Sequence, residues 1–255
     1  MHRFSLSLIV AAALAVAVPS LAAAQPPPPD TTIPAPSPIV IKLGHTPVVE
    51  LYDGGGGLPY LGSATSYNAG DWEPALRQFH DSGVYDTELA QIDDLADTYV
   101  AHRFGRRLAL VLDIDETSLS NYTAINADNF TFGPQSQAEA TNEIGVAIQP
   151  TLDLYNLAKA KRIKVFFITG RRENTREHTT HNLNREGYTG FTDAQLILKP
   201  QDSTATTVQY KSGARAAIEQ QGYHIIANVG DQYSDLAGGH EDIGFKLPNP
   251  FYFLP

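Results

Sequence analysis

The sequence predicts an α/β fold, a three-layer sandwich in which helices cover both faces of a central parallel sheet. Short segments that are apolar at every position recur in the second half of the chain, a pattern typical of strands buried on both faces. Helical patterns lie between them, as the crossover connections of parallel strands require. Polar and acidic residues follow these segments, at the edge where open α/β sheets bind ligands.

Residues 1–24 have the pattern of a cleaved signal peptide. The chain starts with a positive charge at Arg3, continues with an apolar stretch from Leu6 to Val18, and reaches small residues that end at Ala24. The apolar stretch is too short to span a bilayer comfortably, and the rest of the sequence contains no other candidate span. We therefore expect a secreted or periplasmic protein that is not held at a membrane after cleavage.

The composition is acidic and free of cysteine. The 255 residues carry a formal net charge of −10, and removal of Arg3 with the signal peptide makes this −11. Such a charge disfavours nonspecific binding to nucleic acid polymers and anionic lipid, but it does not exclude small phosphorylated substrates at a metal-neutralised site. The lack of cysteine excludes disulfides and lipid attachment through an N-terminal cysteine.

The residues before the core divide into a tether and a helical extension. Residues 25–40 are rich in proline and predict an extended, solvated tether. Within residues 41–105, the glycine run 53–57 lacks the Gly-Lys-Ser/Thr of a phosphate-binding loop, so we expect a flexible loop there. Asp71 suits the N-cap of a helix over 72–79. A second helix of this N-terminal flank is indicated by the apolar stripe Ile92, Leu95, Ala96, Tyr99 and Val100.

Residues 106–255 contain the alternating strands and helices of the predicted core. The strands are expected at 108–112, 163–168, 196–198 and 225–229. The helices between them are expected at 152–161, 174–186 and 212–221. The segment 118–150 is long and mixed in character, and a connection of this length is often a lid over a functional site.

An acidic pair follows the first of these strands. The i, i+2 spacing of Asp113 and Asp115 places both side chains on one face, and two like charges so close need a divalent cation or a shared proton. Three further groups lie at the ends of later elements: Thr169, Lys211 and the pair Asp231 and Asp235. Each alone has an ordinary explanation as a turn, a surface lysine or a helix cap. Together they supply what phosphoryl transfer through an aspartyl intermediate requires.

In this order, the motifs resemble those of the haloacid dehalogenase (HAD) superfamily. The match consists of Asp113-x-Asp115-x-Thr117, Thr169 after an apolar strand, a lysine, and Gly-Asp231-x-x-x-Asp235. The fuller motifs Asp-Ile-Asp-Glu-Thr-Ser-Leu-Ser-Asn, Phe-Ile-Thr-Gly-Arg, Tyr-Lys-Ser and Gly-Asp-Gln-Tyr-Ser-Asp-Leu are more narrowly similar to subfamily IIIB. That branch contains secreted acid phosphatases and plant vegetative storage proteins. The resemblance runs from about residue 71 to the C-terminus, and it implies a Rossmann-like HAD fold with a small cap insert at about 118–150.

The resemblance also implies a role for each motif residue. Asp113 would attack phosphorus, and Asp115 would protonate the leaving oxygen and then activate water. The ligands of a magnesium ion would be Asp113, the backbone carbonyl of Asp115, Asp231 and Asp235. The phosphate oxygens would be bound by Thr169 and Lys211, with assistance from Arg171.

Two assignments depend on weaker patterns. Lys199 also ends a strand at the expected edge, but Lys211 in Tyr-Lys-Ser is closer to the subfamily pattern and is the preferred motif lysine. The spacing of His178, His181 and His240 is not that of a metal site. Since the chain also lacks cysteine, magnesium is favoured over zinc.

The leading functional hypothesis is a secreted, magnesium-dependent acid phosphatase that hydrolyses a broad range of small phosphate monoesters. The alternatives are a noncatalytic storage or binding protein on the same fold, a phosphotransferase variant and a phosphoacceptor domain. The complete motif set speaks against the storage protein, and the signal peptide speaks against a phosphoacceptor domain, which works beside intracellular kinases. In the insert, Tyr122, Phe130 and Phe132 either line an entrance or pack a small core of the insert itself.

Overall fold

The computed structural model describes residues 37–52 and 69–254, and the structural statements below concern these residues. The predicted signal peptide, the proline-rich residues 25–36 and the glycine run 53–57 lie outside them. Within the described ranges, no helix is both long enough and apolar enough to cross a membrane.

Nine strands occur in the described part of the chain. They are β1 (Ser37–Leu43), β2 (Thr46–Tyr52), β3 (Leu108–Leu112), β4 (Leu119–Ser120), β5 (Val146–Ala147), β6 (Lys164–Arg172), β7 (Leu196–Lys199), β8 (His224–Gly230) and β9 (Gly244–Lys246). Seven of them form the main sheet in the order β1-β2-β9-β8-β3-β6-β7, in which the hairpin β1–β2 is antiparallel and the other neighbours are parallel. The predicted central parallel sheet is confirmed, and β3 lies inside it.

Eight α-helices accompany the sheet in the same ranges. They are α1 (Glu73–Asp81), α2 (Val84–Ala101), α3 (Tyr122–Ala127), α4 (Pro134–Asn142), α5 (Gln149–Ala160), α6 (Arg176–Arg185), α7 (Thr207–Gln220) and α8 (Tyr233–Leu236). In β3, Leu110 packs into the cluster that includes residues of α2 and α5, whereas Val111 packs with residues of α7. Successive side chains of a strand point to opposite faces, so a strand that is apolar throughout lies between two helical layers. The predicted three-layer sandwich is therefore confirmed.

The region before β3 contains strands as well as the predicted helical flank. The hairpin of β1 and β2 was not predicted, and β1 begins at Ser37, inside the segment expected to be a tether. Pro38 lies in β1, the outer strand of the described sheet, where a missing N–H is tolerated. The first helix begins at Glu73 after a 3-10 turn that contains Asp71, so Asp71 is not the N-cap that we predicted.

Helix α7 begins at Thr207, earlier than the predicted start at residue 212. A capping box explains the difference: the Thr206 hydroxyl accepts the Gln209 N–H at 3.2 Å, and the Gln209 side chain accepts the Thr206 N–H at 3.1 Å. Lys211 therefore lies in the second turn of the helix and not at its start.

The segment 118–150, called the cap below, contains α3, α4, the two-stranded sheet β4–β5 and the start of α5. Tyr122 and Phe130 pack against Phe251 near the C-terminus, with ring centroids 5.2 and 5.9 Å apart from it. The Phe132 ring is largely exposed. Tyr122 and Phe130 thus pack where the cap meets the C-terminal residues, and Phe132 is the one of the three that solvent reaches.

Candidate active site

Asp113 is the first residue after β3 and is held by main-chain contacts. Its N–H donates to the Val229 carbonyl of β8 at 3.0 Å, which continues the strand pairing by one residue. Its carbonyl accepts a hydrogen bond from the Ser118 hydroxyl at 2.6 Å. The side chain is 8% exposed. The backbone therefore fixes a nearly buried carboxylate at the carboxyl edge of the sheet.

Lys211 brings a positive charge to this carboxylate. Its Nζ forms one ion pair with Asp113 and another, at 2.6 Å, with Asp235. Burial alone lowers the pKa of the Lys211 ammonium, but the charges of the two aspartates outweigh it and raise the pKa above its ordinary value. Lys211 is thus a buried ammonium that faces two acids.

Asp231 and Asp235 follow β8 in a tight turn into α8. One oxygen of Asp235 accepts from Lys211, and the other accepts the Gln232 N–H at 2.9 Å. A Cβ atom at Gly230 would lie 2.5 Å from the Asp235 Cβ, so the close approach requires glycine at this position. Burial, followed by the charge of Asp235, raises the pKa of Asp231 to about 6.

Asp113, Asp231 and Asp235 form one buried group, called the acid cluster below. Each offers a carboxylate oxygen, and the three oxygens lie within 4.8 Å of one another. Burial raises the pKa of Asp113 well above its ordinary range; the Lys211 ammonium opposes this rise, and the two other acids add to it. When ionised, the three acids and the ammonium leave two formal negative charges, which a divalent cation would offset. A donor set of oxygens alone fits a hard cation such as Mg²⁺ or Ca²⁺.

The Asp115 carboxylate lies with Arg171, not with the acid cluster. Arg171 approaches one oxygen of Asp115 with Nη2 at 2.6 Å and with Nε at 2.9 Å. The same oxygen accepts the Asn121 amide at 2.8 Å. At 20% exposure, the Asp115 side chain is accessible to a molecule that enters from solvent. Four residues were predicted to hold magnesium. Asp113, Asp231 and Asp235 contribute their carboxylates to the acid cluster. From Asp115, only the backbone carbonyl was expected as a ligand.

The residues predicted to bind phosphate lie on β6, which carries Thr169 and Arg171, and on α7, which carries Lys211. Thr169 is fully buried at the carboxyl end of β6, where its hydroxyl oxygen accepts the Arg171 N–H at 3.1 Å. Arg171 follows on the same strand, with its side chain turned to Asp115. Lys199 ends β7 and donates to a loop carbonyl at 2.6 Å. Of the two candidate lysines, it is therefore Lys211 that contacts the acids.

The three histidines that were not predicted to be metal ligands have carboxylate partners outside the acid cluster. His178 and His181 both contact Glu143 at the end of the cap helix α4. His240 contacts Glu219 at 2.7 Å. All three side chains are at least 40% exposed, which places them at the surface.

Arg215 was not predicted, although its Nη1 donates to the main-chain carbonyl of Asp235 at 2.5 Å. It is fully buried on α7, pairs with Glu241 at 2.6 Å and donates to the Gly239 carbonyl at 2.8 Å. Both partners lie in the turn after α8, so Arg215 fixes that turn against α7. Its position four residues after Lys211 places both side chains on one face of the helix, and this spacing was the available signal.

Glu116 and Asn249 were missed as well. Glu116 is fully buried and accepts a hydrogen bond from the Tyr252 hydroxyl at 3.1 Å. Burial, with the charge of Asp115 adding to it, raises the pKa of Glu116 well above its ordinary range. Asn249 donates to Asp231 at 2.6 Å. These contacts join residues 136 and 18 positions apart, so no local sequence pattern marks them.

A model of the HAD superfamily, subfamily IIIB (Acid phosphatase), matches residues 71–255. Similar proteins include the Stem 28 kDa glycoprotein of Glycine max, 40% identical over 152 residues, which are 56% of this chain and 59% of that protein. Acid phosphatase 1 of Solanum lycopersicum is 34% identical over 181 residues, 67% of this chain and 69% of that protein. Vegetative storage protein 1 of Arabidopsis thaliana is 34% identical over 154 residues, 57% of this chain and 55% of that protein. The chain thus spans 55% to 69% of the length of these relatives.

Solved structures share the fold at lower sequence identity. The class C acid phosphatase from Bacillus anthracis aligns with a TM-score of 0.61 and 18% identity over 72% of this chain and 86% of that chain. The same enzyme with tungstate bound aligns with a TM-score of 0.61 and 17% identity. At these identities the likeness shows a shared fold.

Proposed function

Since the chain belongs to the HAD superfamily, subfamily IIIB of acid phosphatases, we propose that it is a hydrolase that cleaves small phosphate monoesters through an aspartyl-phosphate intermediate. The observation that carries this proposal is the buried contact of Lys211 with Asp113 beside two further acids. Phosphoryl transfer needs a nucleophile, a positive charge for the phosphate and a cation site within one small volume.

In the first step, Asp113 attacks the phosphorus. A bond forms between its carboxylate oxygen and phosphorus, the bond from phosphorus to the ester oxygen breaks, and the leaving oxygen takes a proton from Asp115. In the second step, water attacks the phosphorus while Asp115 takes its proton, and the bond to Asp113 breaks to release phosphate. The partial exposure of Asp115 supports this role, because a leaving group can reach its carboxylate from solvent, and the ion pair with Arg171 fixes where that carboxylate lies.

Lys211, Thr169 and Arg171 are the proposed phosphate-binding residues. Lys211 lies against the nucleophile, so a phosphoryl group on Asp113 comes within reach of its ammonium. Thr169 and Arg171 lie two residues apart in the second half of β6, the strand next to β3. Donors on α7 and β6 would stabilise the negative charge that phosphate oxygens carry in the transition state.

The proposed cation is Mg²⁺, with the acid cluster and the Asp115 carbonyl as its ligands. A bound Mg²⁺ would offset the charge of the acids and of the substrate phosphate. The chain itself orients one of these ligands, because the Thr117 hydroxyl donates to Asp231 at 3.2 Å. Oxygen donors and the absence of cysteine from the sequence support Mg²⁺ over zinc.

The proposed location is outside the cytoplasm, either secreted or periplasmic. The signal-peptide pattern of residues 1–24 supports it. The formal net charge of −10 supports small substrates over nucleic acid polymers, which a negative surface repels. The substrate class is therefore small phosphate monoesters met after export.

A noncatalytic storage role is the second candidate, because one relative is a vegetative storage protein. The residues of the site favour catalysis. Asp113, Asp115 and Lys211 are all present, and a storage protein has no need of a nucleophile, an acid and an ammonium in one site.

The test compares initial rates on an aryl phosphate, nucleoside monophosphates and sugar phosphates at mildly acidic pH, with Mg²⁺ and after EDTA. We expect hydrolysis that EDTA abolishes and that Asp113→Asn removes. Asp202→Asn, the same change in an exposed loop, is the matched control and should retain turnover. Turnover by Asp113→Asn would contradict the nucleophile assignment, and an inactive wild type on every substrate would favour the storage role.

A further inference from the structure

The residues after β9 return to the site. Residues 247–254, called the C-terminal segment below, contain no helix or strand. Leu247 and Phe251 are nevertheless almost completely buried. The Leu247 N–H donates to the Gly230 carbonyl at 2.9 Å, so the segment starts at the strand end that carries two members of the acid cluster. It therefore packs along the carboxyl edge of the sheet.

The C-terminal segment contacts the loops that follow β3 and β8. The Tyr252 hydroxyl donates to Glu116 in the first loop at 3.1 Å. The Nδ2 of Asn249 donates to Oδ2 of Asp231 in the second loop at 2.6 Å. The Asn249 contact is thus a direct one to a proposed metal ligand.

Further contacts anchor the segment independently of the acids. The Ser234 hydroxyl donates to the Leu254 carbonyl at 2.8 Å. The Phe251 ring packs against Tyr85 of α2 and Tyr122 of the cap, with ring centroids 5.0 and 5.2 Å away. The backbone that carries Asn249 is therefore held in place by contacts that do not involve Asp231.

The hydrogen bonds on the Asp231 carboxylate are distributed unevenly. Oδ2 accepts from Asn249 at 2.6 Å and from Gln232 at 2.7 Å, which occupies both of its lone-pair positions. Oδ1 accepts the longer contact from Thr117, at 3.2 Å, and keeps acceptor capacity. Two donors on one oxygen also restrict rotation of the carboxylate. The hydrogen bonds to Oδ2 therefore fix the direction in which Oδ1 points.

We propose that Asn249 is a positioning residue for the metal. By holding Oδ2, it orients Asp231 so that Oδ1 is offered to the divalent cation together with the oxygens of Asp113 and Asp235. This inference rests on the proposed function, in which these acids hold Mg²⁺. Loss of a hydrogen bond that orients a metal ligand typically weakens metal affinity by about 10- to 100-fold.

The test measures Mg²⁺ affinity without substrate. Asn249 also accepts the Phe251 N–H at 2.9 Å. Asn249→Ser keeps an oxygen for that local turn but removes the amide that reaches Asp231. Calorimetric titration of Mg²⁺ into the purified protein should give a Kd about 10- to 100-fold above that of the wild type. At saturating Mg²⁺, kcat should fall by less than the Kd rises, because Asn249 touches no reacting atom.

Ser234→Ala is the matched control, since it removes an anchor of the C-terminal segment and leaves the amide of Asn249 on Asp231. Its Kd should stay close to that of the wild type. An unchanged Kd in Asn249→Ser, or an equal loss in Ser234→Ala, would overturn the inference. If thermal unfolding without Mg²⁺ shows that Asn249→Ser is unfolded, Asn249→Leu, which is similar in size to asparagine, replaces it in the same titration.

The titration also separates this inference from the proposed function. Because Kd is measured without turnover, a protein that binds Mg²⁺ but hydrolyses no phosphate monoester would refute the phosphatase proposal and leave the role of Asn249 standing. A wild type that binds no Mg²⁺ would overturn the inference itself.

Discussion

At the scale of single residues, Lys211 places a buried ammonium between Asp113 and Asp235. We predict that Lys211→Met lowers kcat by a factor of about 10²–10³, because the transition state loses a fixed positive charge. Removal of one partner from a buried ion pair should also destabilise the fold, by about 3–5 kcal/mol when both acids stay ionised. Steady-state kinetics and thermal unfolding of the same variant measure the two effects.

Lys199→Met is the control for this prediction, because Lys199 donates to a loop carbonyl outside the acid cluster. Its kcat should remain close to the wild-type value. If Lys199→Met lost activity and Lys211→Met kept it, the assignment of the motif lysine would be reversed.

The members of the acid cluster were predictable because each acid lies within a few residues of an apolar strand. Asp113 follows β3 directly, and Asp231 follows β8. The Tyr-Lys-Ser motif favoured Lys211 over Lys199, although both lie near the same edge. Their contacts could not be predicted, since they depend on how α7 packs. Asn249 could not be predicted, because its contact with Asp231 depends on the path of a segment without regular structure.

At the scale of elements, the start of α7 shows a local signal that outweighs the apolar pattern. The capping box of Thr206 and Gln209 begins the helix before its first buried apolar residue, Ala214. The prediction at residue 212 did not take this capping box into account and therefore began too late. The helix therefore starts at Thr207, and Lys211 lies in its second turn.

We predict that Thr206→Ala lowers the free energy of unfolding by about 1 kcal/mol, because the Gln209 N–H loses its acceptor. For a domain of this size the loss corresponds to a fall in Tm of about 2–4 °C. Thr204→Ala, an exposed position just before the cap, should leave Tm unchanged. Equal Tm values for the two variants would show that the cap does not stabilise α7.

The hairpin of β1 and β2 escaped prediction for a different physical reason. Pro38 and Pro47 lie in its strands, and proline inside a short apolar segment argues against a central strand. The sheet resolves the conflict by placing β1 at its edge and joining β2 to β9 by a short parallel pairing. β9 itself has three residues and is too short to stand out in the sequence.

At the scale of the whole molecule, the sandwich was predictable because it depends on many residues at once. Leu110 and Val111 are consecutive in β3 and face opposite helical layers. Any strand in which successive residues are apolar likewise indicates that both faces of the sheet are covered. The sheet also explains why the site forms where it does. Parallel strands end at one edge, so the acids after β3 and β8 meet although more than a hundred residues separate them.

Asp93 links the stability of the whole molecule to pH. It is buried between α2 and α5, where one carboxylate oxygen accepts the Thr151 hydroxyl at 3.0 Å. Burial raises the pKa of Asp93 to about 8, against the lowering effect of Thr151 and with a further rise from Asp97. Aspartate in an unfolded chain has a pKa of about 3.9, so the folded state binds this proton more tightly. The resulting stability is complete below about pH 4 and is lost as the pH rises through about 8.

We therefore predict that Tm falls as the pH rises from about 4 to about 8, and that Asp93→Asn reduces this fall. Asparagine keeps an acceptor for Thr151 and has no proton to lose. Above pH 8 the free energy of unfolding of the variant should therefore exceed that of the wild type by on the order of 5 kcal/mol. Thermal unfolding in EDTA over a pH series measures the slope without a contribution from bound metal. Asp86→Asn, an exposed change on the same helix, should keep the wild-type slope. The same slope in Asp93→Asn would mean that Asp93 gains no proton on folding, and the burial argument for its raised pKa would fail.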